Sequence, residues 1–142
     1  MHHILVATDG SEGAGRAMDV AAEMTKAMSG TLSILTVGGN ASDEEMQQLR
    51  AAEGDLWGAL DQASRQILRR AEERTRQLGV SPTRSLVAWG DPATAIIDAV
   101  RREAVDAIVI GRRGRGQLAG LLLGSVSQKI VTLAPCVVVV VP

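Results

Sequence analysis

The chain has no phenylalanine and no tyrosine, and Trp57 and Trp89 are its only tryptophans. A core must therefore come from Val, Ile, Leu, Ala and Met. The repeated stacking residues with which proteins hold single-stranded nucleic acid are missing. Cysteine occurs once, at Cys136, so no disulfide can form within the chain. Its place in an apolar run predicts a buried, inert thiol. Histidine is confined to His2 and His3. No residue beyond them could complete a Ser/His/Asp or Cys/His group, and neighbours on a strand face opposite ways, which argues against a metal pair. Neither sign of charge dominates: 15 basic and 16 acidic residues leave a net charge of −1. No overall field draws the chain to DNA or to an anionic membrane. The longest apolar stretch, Ile130–Val141, is interrupted by Pro135 and is too short for a membrane span. The N-terminus MHHILVATDG lacks the basic and long apolar regions of a signal peptide, so the expected compartment is the cytoplasm.

What is present suits one α/β domain covering residues 1–142, with apolar residues making up 46% of the chain. Five short runs are rich in branched residues: Ile4–Ala7, Leu32–Val37, Leu86–Trp89, Ala107–Ile110 and Val137–Val141. None alternates cleanly with polar residues, which predicts strands buried on both faces, as in a parallel sheet. Helical stripes lie between them. Ala14, Ala17, Met18, Ala21, Met24 and Met28 form one, stopped near Gly30. Ile96, Ile97, Ala99 and Val100 form another, opened by Asp91 as cap and Pro92 in the first turn. In the long connection Ala41–Gly79, Ser42 and Glu45 have capping-box spacing. Gly54 and Gly58 weaken its early part, so a firm helix is expected from about Leu60 to Leu78. A last helix should run from about Ser125 to Leu133. Strand–helix alternation with right-handed crossovers predicts three layers, an open parallel sheet with helices on both faces.

In such sheets ligands bind beyond the carboxyl ends of the strands. Two loops there carry chemistry: Ala7-Thr8-Asp9-Gly10-Ser11 after the first strand, and GRRGRGQLAGLLLGSVSQ, Gly111–Gln128, after the fourth. The P-loop pattern GxxxxGK[ST] is absent. Gly114–Ala119 reads GxGxxA, but it lies past the strand, and no acid follows about twenty residues on to hold a ribose. A third pattern is complete: Gly111-x-x-Gly114, nine residues, then Gly124-Ser125. Glycines at 111 and 114 would let backbone approach a phosphate. Gly124 and Ser125 would open a helix whose first amides attract anions.

This G-x2-G-x9-G-[ST] spacing, the "DGS" turn after the first strand and the closing valine strand after a proline resemble the nucleotide-binding branch of the universal stress protein family. The resemblance implies a Rossmann-like fold with sheet order 3-2-1-4-5. It implies a nucleotide site with Ala7, Val37 and Ile110 lining the base, Asp9 near the base or a metal-linked water, and Gly111, Arg113, Gly114, Gly124, Ser125, Val126 and Ser127 around the phosphates. The Ser125 and Ser127 hydroxyls would add donors, and Arg113 would pair with phosphate oxygens. Arg112 and Arg115 read as solvated. The implied ligand is ATP, with Mg2+. Gly38 and Gly39 depart from the His-Val pair that often ends the second strand in the family. No poised base is marked, so binding as a regulator or sensor, with at most slow hydrolysis, is expected over efficient catalysis. The alternatives are an ATP-hydrolysing or adenylating enzyme of the adenine-nucleotide α-hydrolase-like group, and an interaction module without nucleotide. In the implied order the last strand, CVVVVVP, is an edge that no lysine or internal proline blunts. Self-pairing across a twofold axis would close it, which predicts a homodimer through residues 136–141.

Overall fold

The computed structural model describes residues 2–38, 47, 55–112 and 124–142. The elements run β1 (His3–Ala7), α1 (Glu12–Met28), β2 (Thr31–Gly38), α2 (Leu56–Gln77), β3 (Arg84–Trp89), α3 (Pro92–Arg102), β4 (Ala107–Gly111), α4 (Ser125–Leu133) and β5 (Val137–Val141). All pairings are parallel, and the sheet order is β3-β2-β1-β4-β5. This is the expected order, with β1 and β4 side by side at the point where the order reverses.

The continuous apolar runs are explained by two cores. Ile4 and Val6 of β1 join Leu32, Ile34, Ala107 and Val109 beneath α1 and α2. Leu5 points the other way and joins Leu35, Ile108 and Ile110 beneath α3 and α4. A strand that alternates between two buried faces must be apolar at every position. Ile4, Leu5 and Val6 are fully buried.

The helix starts are set by short polar caps. Ser11 accepts from the Ala14 amide at 3.2 Å, and Asp91 from the Thr94 amide at 3.1 Å, with Pro92 in the first turn as anticipated. α1 ends at Met28, two residues before the expected glycine, and its cap Ser29 takes the left-handed conformation at φ 50°. α2 begins four residues earlier than the periodicity suggested, at Leu56, because Asp55 accepts from the Trp57 amide at 3.0 Å and holds the turn despite Gly58. The capping-box pair Ser42 and Glu45 lies outside the described residues.

The amino-terminal edge of the sheet is closed by hydrogen bonds. Asp106 accepts from the His2 and His3 amides at 3.0 and 2.9 Å, and these bonds hold its carboxyl below the usual carboxylate range. His3 Nδ1 lies 3.0 Å from the Glu103 carbonyl and Nε2 lies 2.8 Å from the Ser33 hydroxyl. A carbonyl only accepts, so a neutral ring carries its proton on Nδ1 and accepts from Ser33. No metal-binding group of His, Cys, Asp and Glu occurs among the described residues.

Cys136 differs from expectation. It is half-buried at the entry to β5, packed against the second core, and burial pushes its thiol pKa up. An edge strand covers its outer side with nothing from the sheet, which is why the run does not bury it fully.

Candidate functional site

The carboxyl edge of the sheet collects the residues that the sequence marks. After β1 the chain turns through Thr8, Asp9 and Gly10, with Gly10 at φ 82°. The Thr8 amide donates to the Leu35 carbonyl at 2.9 Å, which ties this turn to β2. Asp9 accepts from the Ser11 amide at 2.9 Å and so shapes the entry to α1. Its turn-forming role is thus present beside any role toward a ligand, while Ser11 is the cap.

At the end of β4, Gly111 has a different neighbour from the one its motif suggests. A Cβ there would stand 3.2 Å from the Gly13 backbone, so the missing side chain lets the first turn of α1 pack against the strand. Arg112 joins three elements through its backbone. Its amide donates to the Val141 carbonyl at 2.7 Å, and its carbonyl accepts from the Gly124 amide at 2.9 Å. Its Nε is buried and has no hydrogen-bond partner among the described residues. Arg112 as a whole is half-buried, so its side chain is enclosed at Nε and not wholly solvated. A buried guanidinium nitrogen without an acceptor is costly, and an anion would remove the cost.

α4 begins at Ser125 with Gly124 as its cap, and a glycine cap offers its first amides no side-chain acceptor. The N–H groups of a first turn have no carbonyl within their own helix. Ser125 is exposed on that turn. Ser127 is not the donor that the sequence suggested: its hydroxyl is buried and donates to the Gly111 carbonyl at 2.8 Å. It latches α4 to β4, because the hydroxyl proton finds a strand carbonyl one turn below the helix start. Arg113 and Gly114 lie outside the described residues, as do Arg115 and the GxGxxA stretch Gly114–Ala119.

Of the apolar candidates, Ala7, Val37 and Val126 are half-buried and pack against the second core. Ile110 belongs to the same core but is 4% exposed, so its side chain is interior rather than an open wall. The structure therefore places Ala7, Val37 and Val126 on one face, with Asp9 and the α4 start at the rim. Asp91, at the end of β3, is engaged as a cap. Thr94 donates to it from both amide and hydroxyl, which holds its carboxyl low.

Two residues at this edge escaped sequence reasoning. Trp57 and Trp89 stack, with ring centroids 4.3 Å apart and planes inclined by 29°. Trp89 lies over Gly38, its partner in the β2–β3 register. The Trp89 ring occupies the space where a Gly38 Cβ would stand, at 2.5–2.7 Å. The departure at Gly38 thus has a physical reason: only glycine admits the indole. The two residues are far apart in sequence, so only the strand register could reveal the pairing.

With the geometry in hand, comparison decides the family. A sequence model described as the universal stress protein family matches residues 1–142. The chain belongs to the universal stress protein family. Universal stress protein YxiE of Bacillus subtilis (strain 168) is 32% identical, with 97% of each chain covered. A Thermus aquaticus protein described as "Universal stress protein in QAH/OAS sulfhydrylase 3'region" is 37% identical, covering 97% of this chain and 96% of the relative. Among solved structures, the universal stress protein UspA from Lactobacillus plantarum superposes with a TM-score of 0.81 at 22% identity, covering 99% and 97% of the two chains. A universal stress protein solved in complex with cAMP gives a TM-score of 0.76 at 25% identity, with the same coverage. The universal stress protein described here shares their five-stranded parallel sheet in the order 3-2-1-4-5.

Proposed function

We propose that this universal stress protein binds an adenine nucleotide, foremost ATP accompanied by Mg2+, and acts in the cytoplasm as a nucleotide-dependent regulator or sensor. The observation that carries the reading is the start of α4: its glycine cap offers no side-chain acceptor, and its Gly124 amide donates to the carbonyl of Arg112, whose buried Nε has no hydrogen-bond partner among the described residues. This combination suits a phosphate. Residues Ser125, Val126 and Ser127 would present their amides to it. Gly111, Arg113 and Gly114 complete the sequence motif. Ala7 and Val37 would face the base, with Asp9 near the base or a metal-linked water. When bound, Mg2+ would neutralise phosphate charge. The solved relative with cAMP supports an adenine ligand.

Turnover is expected to be slow, well below the ~10 per second median of enzymes, because the sequence marks no poised base. The test is direct. Purified protein is denatured and its extract chromatographed for nucleotide, and ATP binding is measured by calorimetry. ATP in the extract, or saturable binding in the micromolar range, supports the reading. Absence of both rejects it. A rapid multiple-turnover rate lost in Asp9→Ala would instead favour the hydrolase alternative.

The same reading includes assembly. β5 is an edge strand of five valines, Val137 is 47% exposed, and α4 also exposes Val131 and Leu133. Antiparallel pairing of two β5 strands across a twofold axis would cover this surface.

A further inference from the structure

Of the arginines among the described residues, Arg112 alone is not exposed. Arg65, Arg74, Arg76 and Arg84 reach carboxylates at the surface. No such pair holds Arg112 among the described residues, and its buried Nε has no hydrogen-bond partner there. Its main chain, by contrast, is held on both sides. The amide donates to the Val141 carbonyl at 2.7 Å, and the carbonyl accepts from the Gly124 amide at 2.9 Å. The side chain therefore springs from a fixed point beside the start of α4. Its direction follows from register. The Gly111 Cβ position faces Gly13 of α1, and successive residues of a strand alternate between faces. Arg112 thus projects on the opposite face, where Ala7, Val37 and Val126 pack.

We propose that Arg112 sets the phosphate class this site takes: its guanidinium pairs with the terminal phosphates of a linear nucleoside triphosphate and so favours that ligand over a cyclic monophosphate. The inference rests on the nucleotide reading above and adds a specificity-determining side chain to it. The α4 amides serve any phosphate, because a helix start offers only partial charge. A full positive charge in a half-enclosed place gains in proportion to the negative charge set opposite it. ATP carries several negative charges at neutral pH, and cAMP carries one. A terminal phosphate also presents a fully ionised group to the planar fork of donors, whereas a cyclic diester shares a single charge between two oxygens.

The experiment compares wild type, Arg112→Met and Arg112→Lys by calorimetry with ATP, AMP and cAMP at one Mg2+ concentration, after thermal melts without ligand. Arg112→Met should lose about tenfold to a hundredfold in ATP affinity, the range of a charge-assisted hydrogen bond. Its cAMP affinity should change far less, with AMP in between. Arg112→Lys, which keeps the charge and loses the fork, should recover part of the ATP affinity. Without ligand, Arg112→Met should melt no lower than wild type, because the nitrogen it removes has no partner among the described residues. Unchanged ATP affinity in Arg112→Met, or an equal loss for ATP and cAMP, would overturn the assignment. A clear fall in the ligand-free melting temperature would overturn it too, since Arg112 would then be a structural residue. Wild type that binds cAMP and not ATP would overturn the assignment and keep an adenine ligand. Wild type that binds none of the three would defeat the nucleotide reading itself.

Discussion

The two ends of the same five strands are built on opposite terms. At the amino end, polar groups are paired within the chain: Asp106 with the His2 and His3 amides, His3 with Glu103 and Ser33, and Arg84 with Glu103 at 2.6 Å. At the carboxyl end, α4 starts on a glycine cap that offers no side-chain acceptor, Arg112 Nε lacks a partner among the described residues, and Trp57 stands largely exposed. Polar groups that already pair with each other lock a structure. Groups prepared but left without partners cost stability and are retained where a ligand supplies the partner. Both ends share one set of strands; the difference lies in the turns and helix termini attached at each end.

The sharpest way to break this contrast is Gly124→Asp. The cap residue sits at φ −73° and ψ 167°, which aspartate adopts freely. Its carboxylate would accept from the α4 amides and repel phosphate, so ATP affinity should fall at least ~30-fold, about 2 kcal/mol. Stability should hold or rise by a few tenths of a kcal/mol, since aspartate caps at least as well as glycine. Calorimetry beside a denaturant melt separates the two. Retained ATP affinity would show that the α4 start is only a helix start.

His3→Ala attacks the opposite end. It removes two part-buried hydrogen bonds and leaves the Glu103 carbonyl without its ring partner. A loss of about 1–3 kcal/mol is expected in urea unfolding, with ATP affinity unchanged. A drop in affinity as large as that of Gly124→Asp would mean that the two ends are not separable.

The edge strand gives a third test. Val139→Pro removes an amide in the middle of β5. Light scattering should show a shift from dimer toward monomer or aggregate. Wild type running as a clean monomer at tens of micromolar would remove the dimer from the proposal.

The smallest effect is that of pH. Asp106 is held low chiefly by the His3 and His2 amides, Asp91 by Thr94, and Asp19 by its two-pronged pair with Arg74 at 2.7 and 2.8 Å. Each folded pKa lies below the unfolded one. Their contribution is therefore complete above the unfolded carboxylate value of ~3.9 and is lost as pH falls through the folded values. All three are exposed enough for solvent to weaken them, so the urea midpoint should stay flat from neutral pH to about 5 and decline modestly below 4. His3→Ala leaves the Asp106–amide bonds in place and should keep this acid dependence.

Much of this molecule is legible from residue order. Unbroken branched runs announce strands buried on both faces, and Asp91-Pro92 and Ser125–Leu133 give helix limits that the structure reproduces. Those signals are local: they depend on neighbours within a turn or on the two-residue period of a strand. The glycine spacing from Gly111 to Ser125 likewise marks the proposed ligand end before any fold is known. The contacts across elements are of another kind. Ser127 spends its proton on Gly111 and the Gly111 Cβ position faces α1, because α1, β4 and α4 meet at one point that no single segment specifies. The tryptophan pair is the clearest case. Trp57 and Trp89 belong to different elements, and they meet over Gly38 only because β2 and β3 pair in the register that sets Gly38 beside Trp89. Residue types and periodicity determined the elements, the two cores and the end of the sheet that carries the glycine motif. Strand register and helix docking, which arise from burial summed over the whole chain, decided which side chains were left available there.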